Sequence, residues 1–160
     1  MSRKSRSGTF PPDQEQRDRI VEELDRTMLV EAAAGTGKTT SMVERMVAML
    51  ARGKCESIRN LAAVTFTRKA AAELRARFQI RLERAVRETE GIERERLERA
   101  LANIEQGFIG TIHSFCARLL RERPVEANVD LAFQEIDEVV DRGLREEAWE
   151  ELAAGLLFED

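Results

Sequence analysis

The run Met28 to Thr40, MLVEAAAGTGKTT, gathers the groups best suited to chemistry in this chain. A polyphosphate needs consecutive backbone N–H groups turned inward by a loop without bulky side chains, at a helix N-terminus whose dipole favours negative charge. Ala32, Ala33, Ala34, Gly35, Thr36 and Gly37 supply such a loop. Lys38 can reach the β- and γ-phosphates and Thr39 can offer its hydroxyl to Mg²⁺, which makes the two the candidate catalytic pair and Thr39 the candidate metal ligand. The phosphate-loop spacing fits with one departure, since Ala32 stands where the pattern has its first glycine. If that position needs a positive φ, the Cβ of Ala32 strains the loop; if not, Ala32 is harmless. The plainer alternative is a strand-to-helix turn rich in small residues.

Other reactive side chains are sparse. His113 is the single histidine and lies beside Ser114 and Cys116 with no recognisable third group, so no nucleophilic triad is suggested. A structural hydrogen-bonding role is the simpler reading of that histidine. Cys55 and Cys116 show neither metal spacing nor a disulfide framework and read as reduced, buried thiols. Arg68 to Arg87 holds seven basic residues against Glu73 and Glu83, a helix face that is either solvated surface or a meeting place for a polyanion.

The elements that must position these groups alternate along the chain. Asp13 is placed to cap a helix carrying Ile20, Val21 and Leu24. Met28-Leu29-Val30 reads as the strand that enters the loop, and Met42, Val43, Met46, Val47 and Leu50 follow at helical spacing, with Gly53 as a stop. Asn60 to Thr67 reads as a second buried strand, and a long helix from Arg68 is expected to break at Gly91. Ile92 to Glu105 is expected as a helix burying Leu97, Leu101 and Ile104. Gly107 to Thr111 reads as a third strand and Ile112 to Arg123 as a helix that Pro124 helps to end. Alternating strands and helices imply an α/β fold with parallel pairing and helices on both faces of the sheet.

At 160 residues, 42% hydrophobic and 35% charged, the chain can bury a core and should be soluble. No apolar run reaches the length of a membrane span, and the basic start has no apolar segment behind it, so a cytoplasmic protein is expected. The net charge of −4 is unevenly spread: residues from Pro124 onward carry twelve acidic and two basic side chains, leaving +6 for the rest. Past Pro124 the pattern becomes acidic helix, with Val139, Val140, Leu144, Trp149 and Leu152 as its apolar residues.

Four stretches in order, Pro12 to Gln16, Ala32 to Thr39, VTFTRKAAAELR from Val64 to Arg75, and GTIHSFCARLL from Gly110 to Leu120, resemble the amino-terminal part of the UvrD/RecB-like superfamily 1 DNA helicases. The wording of the last stretch is most similar to the AddA and RecB branch. The resemblance implies an incomplete RecA-like ATP-binding domain over residues 10–123, behind a basic tail over 1–9. It is followed over 124–160 by the start of an acidic helical subdomain. It implies that Gln16 holds adenine, that ATP and Mg²⁺ are the cofactors, and that single-stranded DNA is the partner. It implies that Phe66 stacks on a base and that Thr65, Thr67, Arg68, Thr111 and His113 line the DNA track. The residue-level alternatives remain a surface role for Gln16 and a core role for Phe66. Thr40 departs from UvrD-type members, which place an adenine-stacking arginine there. The family's second acidic motif is not found, and Glu135-Ile136-Asp137-Glu138 lacks a buried strand before it. The implied function is therefore an amino-terminal portion of an ATP-dependent helicase of DNA repair or recombination. It binds nucleotide and DNA but turns over little alone, and a second helicase-nuclease subunit is a possible partner. The alternative is a non-catalytic nucleotide-binding or partner-binding module.

Overall fold

The computed structural model describes residues 13–33, 35–130 and 132–157. The basic tail over residues 1–9, Pro12 and Ala34 lie outside them. The chain divides into two compact units, Met1–Phe115 and Cys116–Asp160.

In the first unit, α1 (Gln14–Glu22) starts after Asp13. The Asp13 carboxylate makes no cap bond and instead accepts from Arg17 one turn on, at 2.8 Å. Helix α2 (Lys38–Ala51) buries Val43, Met46, Val47 and Leu50, the three-and-four spacing of a core-facing stripe. A 3-10 turn over Ile58–Asn60 leads into strand β1 (Ala62–Thr65), and α3 (Arg68–Glu88) follows. The end of α3 is set by Thr89, whose N–H and hydroxyl both donate to Ala85 O at 3.0 and 2.8 Å. Gly91, expected to break the helix, is instead the first residue of α4 (Gly91–Ala102). Strand β2 (Phe108–Thr111) then pairs parallel with β1, in a register that sets Ala63 beside Ile109 and Thr65 beside Thr111. Parallel strands need a crossover, and α3 with α4 provides it.

Helix α3 buries Ala71, Leu74, Phe78, Leu82 and Ala85 along one stripe. It rests on both strands, while α2 and α4 pack on it in turn. Phe78, Leu74, Leu82 and Leu97 are almost wholly buried at the centre of this stack, each burial stabilising by about 1.5–3 kcal/mol. Leu101 and Ile104 pack at its margin, Ile104 within a 3-10 turn rather than in α4.

Two expectations are corrected. Only one sheet face is covered among the described residues: Ala63 and Ile109 are buried, whereas Ala62 and Val64 on the alternate face of β1 are exposed. And Met28-Leu29-Val30 is not a strand, with Leu29 87% exposed. A strand exists by exchanging hydrogen bonds with a neighbour, and the sheet has two strands that pair with each other and not with this run.

The second unit holds the later turns of α5 (Ile112–Glu122) and all of α6 (Glu138–Leu157). Asp137 caps α6, its Oδ1 accepting from the Val139 and Val140 N–H groups at 3.0 and 2.9 Å. Arg121 bonds Glu135 at 3.0 Å and lies over the Phe133 ring. Val139, Val140, Leu144, Trp149 and Leu152 are all exposed. Both cysteines are free; Cys55 is buried as expected, with its thiol pKa raised by burial, but Cys116 is exposed. No helix among the described residues is long and apolar enough to cross a membrane.

Candidate functional site

The loop ahead of α2 turns on two glycines, Gly35 at φ +79° and Gly37 at φ +92°. L-residues rarely take such angles, and Gly37 is also the residue that caps α2. No side chain caps this N-terminus, so its first N–H groups stay open to an anion. Ala32 is not among the residues with positive φ, so the missing first glycine carries no backbone strain. The loop is closed from within. Lys38 Nζ donates to Ala32 O and, at 2.8 Å, to Ala33 O, while the Thr36 hydroxyl donates to Ala33 O at 2.8 Å. Ala32, Ala33, Gly35, Thr36, Lys38 and Thr39 are all exposed.

Helix α1 is tied to this loop by residues that the sequence reading passed over. Arg17 Nη2 donates to Thr36 O at 2.8 Å as well as to Asp13, and the hydrogen bond from Arg17 holds the Asp13 carboxyl below its usual range. Arg45 of α2 spreads its guanidinium over the last turn of α1 and the segment after it, donating to Ile20 O at 2.6 Å, Leu24 O at 3.3 Å and Arg26 O at 2.8 Å. Arginine has donors enough for such a set of orphan carbonyls. Lys54 adds an ion pair to Asp25 at 2.6 Å. Gln16 is exposed and faces a cleft of about 340 Å³ that it lines with Ile20, Thr27, Met28 and Val30. The spacing of Arg17 from Asp13, one turn apart beside Gln16, was a legible signal; Arg45 offered none, because the carbonyls it collects carry no sequence mark.

The other predicted residues meet at the carboxyl ends of β1 and β2. The register puts Thr65 beside Thr111, so the chain leaves both strands at one edge and enters α3 and α5 there. Thr67 caps α3 by accepting from Ala70 N at 3.1 Å, and Thr65 donates to Thr67 O at 3.1 Å. Thr111 and Ser114 do the same for α5: Thr111 Oγ1 accepts from Ser114 N at 3.2 Å, and Ser114 Oγ donates to Thr111 O at 2.9 Å. Gly110 is needed beside them, since a Cβ there would stand 2.7 Å from Phe108 Cζ and 2.9 Å from Ser114 Oγ. Phe66 is 91% exposed at this edge, which removes the core reading. Arg68, Lys69 and His113 are exposed, without side-chain partners among the described residues.

Much of the basic face of α3 is spent internally. Arg77 pairs with Glu73, Arg81 with Glu44 at 2.7 Å and Arg84 with Glu88 at 2.6 Å, while Arg75 donates to Ile109 O at 2.5 Å. Positive charge available to a polyanion is therefore concentrated in the first turn of α3. A loop of this form suits polyphosphate. For Mg²⁺ the fit is partial: Thr39 offers one oxygen, and no group of three His, Cys, Asp or Glu side chains among the described residues could hold the ion. Mg²⁺ wants six oxygens, so the rest would come from phosphates and water.

Residues 13–156 match the family model described as the UvrD/REP helicase N-terminal domain. The chain is 41% identical over 129 residues to an ATP-dependent helicase/nuclease subunit (AddA) of Moorella thermoacetica, covering 74% of this chain and 9% of the relative. The protein of the same name from Desulforamulus reducens is 39% identical over 129 residues, 80% of this chain and 10% of the relative. That from Levilactobacillus brevis is 33% identical over 155 residues, 95% of this chain and 12% of the relative. The chain thus spans about a tenth of the length of the curated relatives it matches.

Proposed function

The chain belongs to the UvrD/REP helicase family through its N-terminal domain, and from that premise we propose that it supplies the ATP-binding loop and part of the single-stranded DNA track of a helicase like the helicase/nuclease subunits it resembles. The observation that carries this is the loop before α2: two glycines with positive φ, an uncapped helix N-terminus and the Lys38 ammonium folded over the loop's carbonyls. Lys38 would exchange Ala32 O and Ala33 O for the β- and γ-phosphate oxygens. Thr39 would present its hydroxyl to the Mg²⁺ carried by the nucleotide, which screens phosphate charge. Gln16, at the mouth of a cleft walled by Ile20, Met28 and Val30, would read adenine through its carboxamide, which both donates and accepts.

The DNA side of the proposal rests on Phe66. An aromatic ring so exposed is well placed to stack on a base, with Arg68, Lys69 and His113 beside it for the phosphates. The N-termini of α3 and α5 add their positive dipole ends to the same edge. We assign residues 10–123 to the first motor domain and 124–160 to the start of an inserted helical subdomain. The open sheet face and the exposed Leu29 and Val30 support the view that this motor domain is completed by further strands of a longer protein. The acidic motif that orients the attacking water and the arginines that stabilise the phosphoryl transition state would come from the same source. This chain by itself should bind nucleotide and hydrolyse it very slowly.

Titration of the chain with ATP and Mg²⁺, beside Lys38→Ala, tests the proposal. Binding is expected for the first and a loss of about tenfold or more for the second; equal affinities would remove the loop from the ATP site. A second reading, a partner-binding module without a motor role, is favoured by the exposed Val140, Leu144, Trp149 and Leu152 of α6. It predicts no single-stranded DNA binding even at low salt.

A further inference from the structure

Arg17 makes contacts that neither base nor phosphate recognition calls for by itself. Its Nη2 donates at 2.8 Å both to the Asp13 carboxylate and to Thr36 O. Its Nη1 lies so near Gly37 that a Cβ there would be 3.2 Å away. Its Nε is buried without a partner among the described residues, and the side chain is 30% exposed. An ornamental surface arginine would not give up hydration of one donor to reach a loop nineteen residues on.

The partner atom matters. Thr36 C=O and Gly37 N–H belong to one planar trans peptide, so they point in opposite directions. Holding Thr36 O against Arg17 turns the Gly37 N–H the other way, across the loop. Thr36 is fixed from the far side as well, through its hydroxyl on Ala33 O. Gly37, at φ +92°, has no steric preference that would hold that peptide plane without such a contact.

We infer that Arg17, anchored by Asp13, is the positioning residue that sets the Thr36–Gly37 peptide for polyphosphate and, being next to Gln16 on α1, links base recognition to the phosphate loop. The inference rests on the reading of Ala32 to Thr39 as a phosphate site. Neighbouring residues on a helix point about 100° apart, so one short helix can turn Gln16 to its cleft and Arg17 to the loop. Arginine suits this place because its fork spans a carboxylate and a carbonyl at once, which a lysine ammonium does less well.

Calorimetric titration with Mg·ATP and with Mg·tripolyphosphate, a ligand with no base, separates the roles. Arg17→Ala is expected to weaken both ligands by about tenfold, the value of one charge-assisted hydrogen bond. Gln16→Ala should weaken ATP and leave tripolyphosphate unchanged. Asp13→Asn, which keeps the arginine and removes its anchor, should shift both ligands in the same direction by a smaller factor, and Arg17→Lys should fall between. Hydrogen exchange read at the Gly37 amide should quicken in Arg17→Ala while the thermal midpoint stays near that of the parent. Unchanged tripolyphosphate affinity in Arg17→Ala and Asp13→Asn, or unchanged exchange at Gly37, would overturn the inference. Failure of the phosphate reading has its own mark, namely Lys38→Ala binding tripolyphosphate as tightly as the parent.

Discussion

At the N-terminus of α2 the cap is Gly37, at φ +92° and with no side chain to offer the helix, whereas at the N-terminus of α3 the cap is Thr67, whose Oγ1 accepts from Ala70 N at 3.1 Å. Both junctions present a positive helix end to solvent. They differ in who satisfies the first N–H groups. Thr67, and Thr111 with Ser114 at α5, satisfy theirs from within the chain, which stabilises by about 1 kcal/mol per cap whether or not a ligand arrives. The α2 end keeps its donors unspent. It suits a ligand recognised by backbone, and the α3 and α5 ends suit one recognised by side chains that stand clear, Phe66, Arg68, Lys69 and His113.

If the two junctions divide the work in this way, Gly37→Val should strike one and spare the other. A β-branched residue at φ +92°, with its Cβ crowding Arg17 Nη1, is strained by about 3 kcal/mol. Nucleotide affinity should fall about a hundredfold, with single-stranded DNA affinity changed less than about twofold at fixed salt. A parallel loss of DNA binding, measured by fluorescence anisotropy on a labelled oligonucleotide, would mean that the junctions are not separate sites.

Phe66→Ala is the converse probe. Base stacking is worth about 1–3 kcal/mol, so oligonucleotide affinity should drop by about thirtyfold while Mg·ATP affinity holds. Because Phe66 is so exposed, the thermal midpoint should not fall. A fall in midpoint with unchanged DNA binding would return this ring to the fold.

The two junctions were unequally legible. Gly35-Thr36-Gly37-Lys38-Thr39 carries its function in composition, because the angles near +79° and +92° all but require glycine. Phe66 carried two readings, since an aromatic next to Ala63 and Val64 continues an apolar run, and only the end of β1 at Thr65 shows that the ring leaves the sheet. The helices were read from their buried stripes, Leu74, Phe78 and Leu82 above all. Met28 to Val30 was misread because pattern reports a strand's hydrophobicity and not the presence of a partner edge. Cys116 was placed inside on its residue type alone, and Gly91 was taken to end α3 when Thr89 already had. Arg17 and Arg45 bond mainly carbonyls, whose positions depend on how α1 and the loop come together.

Thr67→Ala tests the internal capping directly. Removing the acceptor for Ala70 N should lower unfolding stability by about 1 kcal/mol in urea denaturation, leave Mg·ATP binding as it was, and reduce DNA affinity by little more than the loss of order at Arg68. The opposite pattern, stability intact and DNA affinity lost, would make the Thr67 hydroxyl a ligand contact and erase the contrast between the two helix ends.

The smallest effect is the most specific one. Arg68 stands in the first turn of α3 with no side-chain partner among the described residues, while Arg75, Arg77, Arg81 and Arg84 further along are engaged within the first unit. A cation that meets a DNA phosphate releases a counterion and adds about 0.7 to the slope of log affinity against log salt for a single strand. Arg68→Ala should lower that slope by about 0.7 with only a few-fold loss of affinity at moderate salt. Arg84→Ala should leave the slope alone, since its guanidinium already answers Glu88. Equal slope changes for the two variants would mean that the whole basic face of α3 meets DNA and that the internal ion pairs open to do so. In that case the ligand at this edge is recognised by diffuse charge rather than by the few side chains standing clear at the strand ends.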